Sequence, residues 1–234
     1  MNKPEFDKFE STYDQDMADA LAISGQSHDF FMQVKVDLML KASQRLLNAN
    51  PLEHAFLDVG CGVGATARLL ADNVGRLDGL DTSQALVNVA NRNVPRGQFV
   101  SYDGHTMPFD DNSFDVAYII CVLHHVPPSQ WHSFTAEVAR VVKPGGLVFV
   151  FEHNQWNPAT MRIVNSCAFD ENAVLLRPPR VHELFTATGL SIQETRYILF
   201  SPFRSKFFRL IDAVLYWFPL GAQYYVAARK PAQS

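Results

Sequence analysis

The stretch Leu57-Asp58-Val59-Gly60-Cys61-Gly62-Val63-Gly64 ends an apolar run on a carboxylate and follows it at once with three alternating glycines. The apolar run reads as the tip of a buried strand, and the glycines as a sharp turn into a helix. Glycine admits positive φ and has no Cβ, so a ligand can lie directly against the backbone at a helix N-terminus. A nucleotide-like cofactor is the natural occupant of such a turn.

Two cofactor classes fit it. Gly60, Gly62 and Ala65 satisfy the pattern G-x-G-x-x-G/A, and Asp81, about 20 residues on, stands where a ribose-binding acid belongs. A nicotinamide or flavin cofactor satisfies that pattern. Asp58 argues for the other class. Two residues before the first glycine, its charge would repel a diphosphate but attract an ammonium and a sulfonium, the two cationic groups of S-adenosylmethionine. The turn alone leaves an NAD(P)-dependent oxidoreductase open, and it also leaves open a scaffold that binds S-adenosylmethionine without catalysis.

Further segments follow in order. Gly97-Gln98-Phe99-Val100-Ser101-Tyr102-Asp103-Gly104 reads as a short strand ending in an acid, and Ser113-Phe114-Asp115-Val116-Ala117-Tyr118-Ile119-Ile120 as another strand. Val141-Val142-Lys143-Pro144-Gly145-Gly146-Leu147-Val148-Phe149-Val150 supplies a turn and a fifth strand. From Ala55 to Glu152 these motifs resemble the class I S-adenosylmethionine-dependent methyltransferases, within them the branch of the ubiquinone and menaquinone biosynthesis enzymes. The resemblance implies an α/β, Rossmann-like, doubly wound sheet of seven strands with helices on both faces. The sheet would be mainly parallel, with an antiparallel last strand inserted beside the sixth.

Periodicity places strands near Ala55–Val59, Arg76–Leu80, Gln98–Ser101, Phe114–Ile120 and Leu147–Phe151, with helices near Gly64–Asn73, Ser83–Asn91 and Ser129–Val142. A helix near Arg180–Thr188 and strands at Leu190–Leu199 and Ala222–Arg229 complete the plan. The 234 residues, 47% of them hydrophobic, suffice for one compact domain. Within it we expect a helical cap over 1–50, a cofactor-binding core over 51–152 and an acceptor side over 153–234. A net charge of -4 lacks the basic excess of a nucleic-acid protein. Cys61, Cys121 and Cys167 form no C-x-x-C pair, which predicts free thiols in a reducing compartment. The start of the chain has no signal-peptide pattern, and the expected location is cytoplasmic.

The resemblance and the residue chemistry assign candidate roles. Gly60, Cys61, Gly62 and Gly64 form the turn against the methionine and ribose portions. Asp58 attracts the ammonium group, and Asp81, followed by Thr82, bonds the ribose hydroxyls. By resemblance Asp103 meets the adenine amino group, Gly104 and His105 cover the ring edge, and Cys121 lies beside the methionine end. Tyr13 could bond the methionine carboxylate or face the transferred methyl group. Lys35 could meet an anionic group, although for both residues an ordinary surface or packing role is the first reading.

Transfer to oxygen also needs a proton acceptor, and histidine titrates near neutrality. His124 and His125 follow the fourth strand at the carboxyl edge, where ligands gather in such sheets. His125 is placed ahead of His124, His153 is the rival base, and Glu152 could orient a histidine. No ligand spacing in the sequence demands a metal. The long connection Asn154–Pro179 and the aromatic, basic insert at 203–218 decorate the acceptor side. They are similar to parts of methyltransferases acting on sugars or lipid-linked glycans, and the insert could touch a membrane surface. The expected activity is O-methylation of a small-molecule, sugar or lipid-like acceptor, with no nucleic-acid partner.

Overall fold

Side chains alternate across a β-sheet, so strands that are apolar at nearly every position must be covered on both faces. The computed structural model describes residues 25–167, 170, 172–201 and 214–232 and shows this arrangement. In chain order the elements begin with α1 (His28–Leu47), β1 (Ala55–Val59), α2 (Ala65–Leu70), β2 (Arg76–Asp81), α3 (Gln84–Asn93) and β3 (Gln98–Ser101). They continue with β4 (Phe114–Ile120), α4 (Trp131–Val141), β5 (Val142–His153), α5 (Pro158–Ser166), α6 (Pro178–Ala187), β6 (Ser191–Ile198) and β7 (Gln223–Arg229).

The sheet has seven strands in the order β3-β2-β1-β4-β5-β7-β6. β1 pairs in parallel with β2 and β4, while β7 runs antiparallel between β5 and β6. This is the arrangement the resemblance implies. On one face Ala117, Ile119, Val148 and Val150 pack with α4 and α6, through residues such as Val138 and Leu184. On the other, Val116, Tyr118, Phe149 and Phe151 pack with α1, α2 and α3, through residues such as Met39, Ala67 and Ala90. The chain reverses direction across the sheet between β1 and β4, and the crevice beyond their carboxyl ends is where such sheets bind ligands.

The predicted strands and helices all form, with shifted bounds. The helix expected over Gly64–Asn73 is α2 followed by a 3-10 turn at Ala71–Asn73, and β5 starts directly after α4. Within the long connection Asn154–Pro179, a Pro at its first turn and an Asn157 side-chain cap start α5. Ahead of β1, Ser27 caps α1 and Asn48 ends it in the left-handed conformation. Tyr13 and most of the 203–218 insert lie outside the described residues. Among the described residues no helix is long and apolar enough to cross a membrane.

Candidate functional site

The backbone leaves β1 through Gly60, whose N–H, with that of Cys61, donates to the Leu80 carbonyl at 2.8 and 3.0 Å. Gly60 has φ +80°, and a Cβ there would stand 2.5 Å from the Val122 side chain. The turn therefore needs glycine both for conformation and for the close approach of the loop after β4. Gly64 shares the conformational need, φ +78°, and has a packing reason as well. Its Cβ would press on Ala90 and Val94 of α3 and its C-terminal cap, at 3.3 and 3.2 Å, so this glycine permits close helix packing.

A cavity of about 360 Å³ lies over the carboxyl ends of β1, β2, β4 and β5. That volume is at the small end of the range for small-molecule sites, roughly 300–1,000 Å³. One end is walled by Asp58, Gly60, Cys61, Gly62, Asp81 and Thr82, with Tyr102 and Gly104 beside them. Asp81 accepts the N–H groups of Gly62 and Ser83, both at 2.9 Å, which fixes its carboxylate at the turn. Asp58 is buried, and one of its oxygens has no hydrogen-bond partner. Burial raises its pKa to about 7, with the Tyr118 hydroxyl opposing and the Asp81 charge adding to the rise. Such a carboxyl can take on full charge when a cation arrives.

Asp103 and His105 do not line this cavity. Both are exposed, and Asp103 turns one carboxylate oxygen back to the N–H groups of His105 and Thr106 at 2.8 and 2.9 Å. Those two bonds hold the Asp103 carboxyl below its ordinary range. The Asp-Gly pair is here a side-chain-closed turn, and only Gly104 reaches the cavity wall.

The opposite end is a polar cluster at the tips of β4, β5 and β7. Cys121 ends β4 in the left-handed region, φ 55°, a conformation that costs a non-glycine residue about 1–3 kcal/mol. Its Sγ accepts from Lys35 Nζ at 3.9 Å and from Gln223 Nε2 at 3.5 Å, and the same Gln223 nitrogen lies 3.2 Å from His153 Nδ1. Burial alone would push the Cys121 thiol up, but Lys35 and His153 bring it down to about 7. Burial lowers the Lys35 pKa against the pull of Cys121 and Glu152. Lys35 is only 1% exposed, so it is not a surface residue: α1 brings its amine to the cavity wall.

Behind the cavity wall His124 is buried, with Nδ1 bonded to Glu152 Oε2. Burial disfavours both charges, yet each offsets it for the other: His124 is raised well above 6.5 and Glu152 is lowered below 4.5. Asp170, from the connection after α5, brings its Oδ1 to 3.4 Å from His124 Nε2 and 3.5 Å from His125 Nε2. Its Oδ2 is 4.0 Å from His153 Nε2. His125 faces the cavity, and burial together with His124 lowers its pKa to about 4. It is therefore neutral and able to accept a proton at physiological pH, whereas His124 is held by Glu152 and does not reach the cavity.

The structure thus brings together Asp58, Gly60, Cys61, Gly62, Asp81, Thr82, Gly104, Cys121, His125 and His153 around one cavity. Gly64, Asp103, His105 and His124 stand outside its wall. Asp170 and Gln223 line it as well and were not singled out from sequence. Neither belongs to a recognisable spacing, and no local signal marks Asp170, which the loop brings back over the sheet.

Comparison with known proteins agrees with this geometry. Residues 57–150 match the family described as a methyltransferase domain. The chain is 35% identical over 130 residues to the 2-methyl-6-phytyl-1,4-hydroquinone methyltransferase of Synechocystis sp., covering 53% of this chain and 40% of that one. It is 40% identical over 103 residues to the sterol 24-C-methyltransferase of Schizosaccharomyces pombe, covering 41% and 27%. The matched region therefore spans less than half the length of these curated relatives. Among solved structures, a methyltransferase of Haloferax volcanii in complex with the Trm112 methyltransferase activator superposes with a TM-score of 0.65 at 22% identity, over 99% of this chain and 100% of that one. The dinucleotide reading of the turn is set aside, since the doubly wound dinucleotide sheet runs 3-2-1-4-5-6 and has no antiparallel strand between its fifth and sixth. With the strand order and the glycine turn in agreement with this match, residues 57–150 are similar to a methyltransferase domain, on a seven-stranded sheet of the same fold as that solved structure.

Proposed function

We propose that the protein transfers the methyl group of S-adenosylmethionine to a hydroxyl oxygen of a small, largely apolar acceptor, and that His125 takes the hydroxyl proton. The observation that carries this reading is the continuity of one cavity from the glycine turn and Asp81 to His125 and His153. Phe31, Met32, Val126, Phe134 and Ile163 line it between and around these groups, which suits an acceptor with an apolar body. The prenylated hydroquinone and sterol in the names of the two relatives are acceptors of that kind.

The acceptor O–H gives its proton to His125, an oxygen lone pair forms the O–C bond, and the C–S pair returns to sulfur, leaving S-adenosylhomocysteine. The sulfonium methyl is already electrophilic, so alignment and exclusion of water supply much of the rate. Incubation with S-adenosylmethionine labelled in the methyl group and a panel of hydroquinones and sterols, read by mass spectrometry and NMR, tests the reading. A label found on ring or side-chain carbon would overturn oxygen as the site of transfer.

The cofactor end makes two predictions. Asp81→Ala should weaken S-adenosylhomocysteine binding in calorimetry through the loss of charge-assisted bonds, each worth about 1.5–3 kcal/mol. Asp58 should make cofactor affinity depend on pH. With its folded pKa near 7 against an ordinary 3.8, it is only partly charged at neutrality. Affinity for the cofactor ammonium should rise by up to about tenfold between about pH 6 and about pH 8, as the carboxylate forms. The same charge weakens the empty fold. Asp58 leaves the fold undisturbed below its unfolded value of 3.8, and stability is lost as pH rises from there through 7. Asp58→Asn should raise the melting temperature of the cofactor-free protein at about pH 8 and flatten the rise in affinity.

A further inference from the structure

The cluster at the acceptor end has more ligand capacity than a proton acceptor requires. His124 Nε2, His125 Nε2 and a carboxylate oxygen of Asp170 all lie within 4.8 Å of one another. The two histidine–aspartate separations, 3.4 and 3.5 Å, are close to the edge of about 3.3 Å spanned by ligands around a tetrahedral ion with bonds of about 2.0 Å. A second observation is independent of these distances. His124 Nε2 is fully buried and makes no hydrogen bond, while its other nitrogen is engaged by Glu152. A carboxylate on Nδ1 orients the imidazole, and an ion that displaces the Nε2 proton on binding meets a lone pair already aimed at it, the arrangement that supports metal-binding histidines.

We propose that His124, His125 and Asp170 form a binding site for a first-row divalent transition cation, with Glu152 as the positioning residue behind His124. Two imidazoles with one carboxylate favour zinc, cobalt, iron(II) or manganese over magnesium or calcium, which prefer all-oxygen shells. Three protein ligands leave a coordination position open, and His125 and Asp170 both border the cavity, so that position faces the acceptor end. The use of the ion rests on the methyl-transfer reading above. An ion held there would polarise the acceptor hydroxyl, and because it would engage His125, the proton that His125 takes in the ion-free protein would pass instead to His153, whose Nε2 lies 4.0 Å from Asp170 Oδ2. Binding of the ion does not rest on that reading.

The test uses the full chain, stripped with a chelator and titrated with zinc chloride by calorimetry in the absence of cofactor and acceptor. One ion per chain should bind in the micromolar range or tighter, and cobalt(II) in its place should show the visible absorption of a low-symmetry site. His125→Ala and Asp170→Asn, with folding checked by circular dichroism, should each weaken zinc binding by at least about 100-fold. His132→Ala, at an exposed histidine of α4, should leave it unchanged. Glu152→Gln should weaken it by about 10–100-fold. Absence of saturable zinc or cobalt binding, or equal binding by the His125 and Asp170 variants, would overturn the site. That failure would leave the methyltransferase reading standing. Ion binding without any methyl transfer would instead remove that reading and leave the site.

Discussion

Replacement of Glu152 by glutamine should destabilise the protein by about 3–5 kcal/mol, the cost of breaking a buried ion pair from one side. Glu152 and the His124 ring to which it is bonded are both buried, so solvent cannot compensate for the lost charge. For a chain of this length that loss corresponds to a fall of roughly 6–20 °C in melting temperature. The pair also sets a pH window. Glu152 has a lowered pKa, so its contribution is present above its unfolded value near 4.5 and is lost as pH falls through the folded value. His124 has a raised pKa, so its contribution is complete below 6.5 and is lost as pH rises through the folded value. The wild-type protein should therefore be most stable between these limits, and Glu152→Gln should flatten both flanks. Thermal melts across pH check this. Equal melting curves for the two proteins would mean that the pair contributes nothing net. In the double variant with His124→Gln, the losses should be less than additive, because the second change removes a group the first has already stranded.

His125→Ala should lower turnover by roughly 10²–10⁴-fold while leaving S-adenosylhomocysteine affinity nearly unchanged. The residue borders the cavity at the carboxyl end of β4, and its pKa near 4 keeps it neutral at working pH. A base of that strength gains its effect from placement, because the proton leaves only as the O–C bond forms. The split between an unchanged cofactor affinity and a collapsed turnover is what a packing role would not produce. If turnover stays at the wild-type level, His153 becomes the proton acceptor, and the same measurement on His153→Ala follows.

The legible part of this protein is local. Leu57 to Gly64 announces a strand, a turn and a helix within eight residues, since glycine conformation and the apolar run act over that range. Asp58 and Asp81 could be placed at strand ends for the same reason, and both lie at the cavity. The alternation of elements was enough to place every strand. The order of the last two strands came from resemblance, because which edge β7 enters depends on pairing between residues far apart, such as Val150 with Val226.

Other residues kept their roles hidden until the chain closed on itself. Gly64 belongs to the same glycine series as Gly60, yet only the position of α3 shows that it serves packing. Asp103 reads equally as a ligand or a turn, and only the fold shows that one of its carboxylate oxygens closes the turn through His105 and Thr106. His124 and His125 are adjacent in sequence and differ in everything that matters: one is buried against Glu152 and the other opens on the cavity. Successive side chains in the short 3-10 turn after β4 point in different directions, and sequence alone cannot say which direction is inward.

The sequence by itself determined the α/β plan, the glycine turn and the acids beside it, because each is written in contiguous residues whose conformational preferences act locally. Only the tertiary structure decided that Lys35 is a buried amine, that Asp170 meets two histidines and that Glu152 stands behind His124. These groups come from α1, from the connection after α5 and from β5, and their charges and lone pairs acquire a function only when burial removes water and brings them within a few ångströms of one another.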